Sequence, residues 1–129
     1  MEDVKNITIN DMGNSVYFRI RLFDAERGLD FIDKIAESIK DKKFSVKDYL
    51  ADLIPLASLL DANGVTVVKE SLTLKDCYGV IRNPLAIVEL GAEIFKFQEV
   101  FMKDSEICRK LMQKAGNIWN TGSSESITE

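Results

Sequence analysis

The sequence predicts a mainly α, α+β fold: a helical bundle of about five helices with a small N-terminal β-hairpin. Three observations predict it. Residues 16–22 alternate apolar and polar with a period of two, and the segments after residue 24 repeat their apolar residues every three or four positions. Asn, Asp, Gly and Pro punctuate the gaps between them. At 129 residues the chain is sized for a single domain, expected over residues 1–119, with a disordered polar tail at 120–129.

The hairpin comes first. Val4, Ile7 and Ile9 precede the turn-prone stretch Asn10-Asp11-Met12-Gly13-Asn14, and Val16, Phe18, Ile20 and Leu22 then alternate with Tyr17, Arg19 and Arg21. A lone hairpin is marginal in water, so this one needs helices or another subunit to lean on. Asp24 is a plausible N-cap for the first helix, with Leu29, Ile32, Ile35, Ala36 and Ile39 as its apolar stripe. Ser45 and Asp48 imitate a capping box for the second. Its stripe is Leu50, Leu53, Ile54, Ala57 and Leu60, and Pro55 predicts a kink or restart near Asp52–Ile54. Asp61-Ala62-Asn63-Gly64 has turn chemistry, and Val65 to Val68 offer a short strand. Thr73 and Asp76 open a short helix that stops before Asn83-Pro84. The longest helix is expected at 84–103, with Asn83 as cap and Pro84 at its first position. A final helix, capped by Asp104 or Ser105, carries Ile107, Cys108, Leu111, Met112, Ala115 and Ile118 and ends near Trp119.

Composition narrows the chemistry. Lys and Arg number 17 against 21 Asp and Glu, a formal charge of −4, which disfavours a phosphate backbone as partner. There is no histidine, so Ser-His and Cys-His nucleophiles and imidazole metal sites are excluded. No apolar run reaches the roughly 18 residues of a membrane span, and the acidic start Met1-Glu2-Asp3 is unlike a secretion signal. The two cysteines, Cys77 and Cys108, are therefore expected to be reduced and structural. Asp61-x-Asn63 begins like a calcium loop, but Val65, Lys69 and Leu72 occupy positions that need oxygen ligands. No cofactor, metal or catalytic residue is expected, and an enzyme is disfavoured.

One segment carries more information. Winding residues 84–103 at about 100° per residue places Glu89, Glu93, Lys96, Glu99 and Lys103 within an arc of about 120°. The opposite side is apolar apart from Gln98 and holds two adjacent stripes. One is Ile87, Leu90, Ile94, Phe97 and Phe101; the other is Val88, Gly91, Phe95 and Met102. A surface helix needs only one such stripe. Either neighbours cover both, as in the centre of a bundle, or one faces the core and the other meets a partner. The expected partner contact is Ile87, Leu90, Ile94, Phe95, Phe97, Phe101 and Met102, with Trp119.

The order of elements resembles the tail assembly chaperones of long-tailed bacteriophages and prophages. Arg19-Ile20-Arg21-Leu22 leads into the helix from Asp24, and Tyr49-Leu50-Ala51-Asp52-Leu53-Ile54-Pro55-Leu56 follows. A short helix from Leu74 to Ile81 then precedes Asn83-Pro84-Leu85 and Glu93-Ile94-Phe95-Lys96-Phe97-Gln98-Glu99-Val100-Phe101. The resemblance is one of pattern over about residues 15–119 and hands over no individual residues. It implies binding of the apolar helical tape measure protein, recruitment of the tail tube protein and residence in the host cytoplasm; whether the chain forms a homo-oligomer stays open at this point. The charge balance and the lack of a long apolar run argue against a nucleic-acid or membrane partner. The alternatives are a stable structural component of a phage tail or head–tail connector, and a small regulatory, antitoxin-like binding protein.

Overall fold

A computed structural model describes residues 3–43, 45–99 and 113. Among them stand four α-helices and one four-stranded antiparallel sheet, so the five-helix bundle is overturned in favour of an α+β fold. The helix expected at 104–119, the tail at 120–129, and Phe101, Met102 and Trp119 lie outside the described residues. The described residues fall into two compact units, one of 3–22 with 47–97 and the other of 23–46 with 98–99.

In the first unit the predicted hairpin forms from β1 (Val4–Asp11) and β2 (Asn14–Arg21). Asp11 pairs with Asn14 around Met12-Gly13, both of which have positive φ, at 52° and 88°. That is the turn whose twist matches a two-residue hairpin. Ile7 and Ile9 sit opposite Phe18 and Val16 on the inward side, and Ile9, Phe18 and Ile20 are almost fully buried. The hairpin leans on a third strand. β3 (Ala57–Leu60) pairs with β2, and β4 (Val67–Lys69) pairs with β3, giving the order β1-β2-β3-β4.

That third strand is the principal departure from the sequence reading, which continued a helix through Ala57 and Leu60. The helix that starts at Val46 ends at Leu53 (α2, Val46–Leu53), a 3-10 turn covers Ile54–Leu56, and the chain goes extended. Pro55 has no N–H to continue the helical ladder. The four residues after the turn are apolar or small and have two-sided cover: Ala57, Ser58 and Leu60 are buried. A short apolar run of this kind fits helix and strand equally until a neighbouring strand offers hydrogen bonds, and here β2 offers them. The Arg21 Nη2 donates to the Pro55 carbonyl at 3.1 Å and to Ser71 Oγ at 2.7 Å, tying the end of β2 to this corner.

α3 (Leu74–Val80) opens on the expected capping box: Thr73 Oγ1 accepts from the Asp76 N–H at 3.1 Å, and Asp76 Oδ2 accepts from the Thr73 N–H at 2.9 Å. α4 (Pro84–Gln98) starts where predicted, its Asn83 Oδ1 accepting from the Leu85 N–H at 3.0 Å. Leu53, Ile54, Leu90 and Ile94 show no exposed surface, and each such side chain contributes about 1.5–3 kcal/mol on burial.

In the second unit α1 (Ala25–Asp41) is capped by Asp24, whose Oδ1 accepts from the Arg27 N–H at 2.8 Å. Lys42, with φ 55°, ends the helix. Its buried positions are Gly28, Phe31 and Ile35, so Leu29, placed in the apolar stripe by sequence, is 65% exposed. Phe31 fixes the phase of the helix by packing on Phe23, ring centroids 5.1 Å apart. Gln98, the polar exception on the apolar side of α4, is fully buried and its Oε1 accepts from the Phe23 N–H at 2.9 Å.

Candidate functional site

The wheel drawn for α4 holds in both directions. Glu89, Lys96 and Glu99 are exposed and Glu93 half-buried, while Ala86, Ile87, Leu90, Gly91, Ile94, Phe95 and Gln98 are buried. Of the expected partner contact, Leu90 and Ile94 have no exposed surface, Ile87 retains 6% and Phe95 8%, and Phe97 is half-buried. Gly91 and Phe95 belong to one stripe and Ile87, Leu90 and Ile94 to the other, so among the described residues both stripes are mostly covered, with Val88 and Phe97 half-buried. A partner could reach them only if that cover opened.

The apolar surface that does face outward lies elsewhere. In the first unit Val4, Met12, Val65, Val68, Tyr78 and Leu85 are exposed, Leu85 most of all at 70% and Tyr78 at 56%. Leu85 projects from the centre of the charged arc, one residue after Pro84. Tyr78 stands on the last turn of α3, just before the joint between the helices. The signal for Leu85 was on the wheel: it is a leucine at the angle of Glu89, Glu93 and Lys96. Tyr78 had no comparable mark, since a helix of two turns has too few residues to define a face.

The α3–α4 joint is held from the hairpin. Asp11 is 97% hidden from solvent (3% exposed), and its two carboxylate oxygens accept the Arg82 and Asn83 N–H groups, each at 2.9 Å. These donors precede α4 and have no helical acceptor, so the carboxylate satisfies them while placing negative charge at the positive end of the helix. Tyr78 and Leu85 are thereby presented on either side of a fixed corner. Among the described residues no buried side-chain nitrogen or oxygen is without a hydrogen-bond partner.

The remaining polar features are structural. Asp61 Oδ1 accepts the N–H groups of Asn63, Val65 and Thr66 at 3.0–3.3 Å, with Val65's the largest influence, and these hold its carboxyl below the ordinary 3.8. The apparent calcium-loop start is a loop cap. Gly64 completes the loop at φ 72°, where a Cβ would lie 3.3 Å from the Tyr17 ring. Asp76 is likewise held low, first by the Thr73 N–H and then by Lys69, whose Nζ is 3.0 Å away. Burial pushes the Cys77 thiol up to about 11, and the neighbouring Asp76 charge adds to this. Such a thiol is a weak nucleophile at neutral pH. No described helix is long and apolar enough to cross a membrane, and no group of metal-ligating side chains occurs among the described residues.

Comparison with known proteins finds no matching family model, no matching curated protein and no matching solved structure.

Proposed function

We propose that this chain is a non-catalytic assembly factor of the tail-assembly-chaperone kind, holding an apolar helical segment of a tape measure protein, with the tail tube protein as a second partner. The observation that carries the proposal is the exposed pair Tyr78 and Leu85 flanking the α3–α4 joint, with Leu85 on the same arc of α4 as Glu89, Glu93 and Lys96. Two large apolar side chains on a fixed corner suit the apolar face of a client helix. The charges around Leu85 keep the complex in water and discourage indiscriminate apolar contact. A small contact gives weak affinity per site, and many copies along one long client compensate through multivalency.

The experiment is co-expression with a tape measure protein. The wild-type chain is expected to keep that protein soluble and to co-purify with it. Replacing Tyr78 and Leu85 together by Ser is expected to abolish both effects with the melting temperature unchanged. Capture that survives the double replacement, or a client whose solubility is indifferent to the chain, counts against the proposal.

A further inference from the structure

The two edges of the sheet are built differently. β4 is three residues long, joins β3 through a register shift at Leu59/Leu60, and carries Lys69 in an ion pair with Asp76. Those are the usual devices that keep an edge from pairing with another chain. β1 is neither short nor irregular: although it carries Lys5, it runs eight residues in unbroken register with β2, has no proline, and has no described strand on its outer side. In an antiparallel ladder alternate residues bond to opposite sides. The two-residue turn closes on Asp11 and Asn14, and at the other end of the same register the Leu22 N–H donates to the Asp3 carbonyl at 3.2 Å. The odd-numbered residues of β1 therefore spend their main-chain groups on β2, and those of Val4, Asn6, Thr8 and Asn10 point to the open edge.

We propose that this edge pairs with the same edge of a second copy of the chain, antiparallel, about a two-fold axis at Thr8. The segment Lys5-Asn6-Ile7-Thr8-Ile9-Asn10-Asp11 is the same in both directions except at its ends, which carry opposite charges. A continuous sheet requires outward-bonding residues to meet outward-bonding residues, and inward side chains to stay on one face. Only registers that pair even with even positions satisfy both. Centred on Thr8, Ile7 meets Ile9 and Asn6 meets Asn10, twice over by symmetry. Centred on Ile7, Lys5 would face Ile9 and Asp3 would face Asp11. Centred on Ile9, Ile7 would face Asp11.

The same register accounts for two exposed apolar residues. Val4 and Met12, 46% and 67% exposed, fall beside each other across the two-fold axis. A shallow hollow lined by Asp3, Val4, Lys5, Asn6 and Arg19 lies where Met12 of the second copy arrives. Met12 holds a positive φ that Asn or Gly adopts more readily. Pairing joins the two four-stranded sheets into one, and because Tyr78 and Leu85 lie outside β1, it is independent of the client contact proposed above.

Sedimentation of the full chain over a concentration series tests this, with a reversible monomer–dimer equilibrium expected. Thr8→Pro removes an outward N–H without touching the β1–β2 ladder, and is expected to leave only monomer with an unchanged circular dichroism spectrum. A register test needs no loss of stability. In a Cys108→Ser background, Thr8→Cys is expected to form a disulfide-linked dimer under mild oxidation, since directly opposed residues have Cα atoms about 5.5 Å apart. Asn6→Cys is expected not to, its two copies being about 13 Å apart along the strands. A wild-type chain that stays monomeric throughout, a Thr8→Pro chain that still dimerises, or equal cross-linking at positions 6 and 8 overturns the proposal.

Discussion

The two sides of α4 show how differently one helix can use apolar residues. On one side Ile87, Leu90, Ile94 and Phe95 are buried and hold the fold; on the other Leu85 stands exposed on the arc that also carries Glu89, Glu93 and Lys96. An unusually wide apolar circumference looks, in sequence, like a surface awaiting a partner. Among the described residues most of that width is consumed by the core, and the most exposed large apolar residue of α4 is the leucine that breaks the charged arc. Apolar width around a helix therefore measures how many neighbours it has, and says little about which of them belong to another molecule.

The sharpest way to break this contrast is to truncate one side and then the other. Leu90→Ala is expected to lower stability by about 2–5 kcal/mol, the usual cost of a cavity at a fully buried leucine. Leu85→Ser is expected to change it by less than about 0.5 kcal/mol, as for an ordinary surface substitution. Denaturant unfolding of the two variants measures both, and equal losses would erase the distinction.

The next effect in size concerns the corner that fixes Leu85. Asp11→Ala leaves the N–H groups of Arg82 and Asn83 without their acceptor, and about 1–3 kcal/mol of stability is expected to go with it. If unfolding shows no such loss, the hairpin does not hold the start of α4.

Smaller again is the response to acid. Asp61 and Asp76 both have folded-state acidities below the ordinary 3.8. A depressed value means that their contribution is complete above 3.8 and is lost as the pH falls below it. Asp76→Asn removes one of the two, so its melting temperature is expected to fall less steeply than that of the wild type as solutions are acidified past 3.8. An identical slope would mean that the capping box of α3 gains nothing from the charge.

Much of this architecture was legible in the residues. The hairpin, the Asp24 cap, the Thr73–Asp76 box, the Asn83-Pro84 start and the two arcs of α4 each rest on local chemistry, and each is where that chemistry put it. What local chemistry does not contain is a distant partner. Ala57–Leu60 became a strand because β2 was there to pair with, and a run of four residues has too few turns to argue otherwise. Leu29 faces water because Phe23 and Phe31 stack and turn the helix their way. Asp11, a turn aspartate by sequence, is buried because the N–H groups that donate to its carboxylate lie 71 and 72 residues further along the chain. The exposed site was half legible: Leu85 could have been found on the wheel, and Tyr78 could not.

Native-state hydrogen exchange along α4 tests the central claim most directly. With its apolar side serving as core, the amides of Leu90, Gly91 and Ile94 are expected to exchange only through global unfolding, with the opening free energy that denaturant unfolding gives. Exchange of these amides through a smaller, local opening would contradict the account, because it would show that the cover over α4 lifts in the folded chain and that its apolar stripes are open to a partner after all.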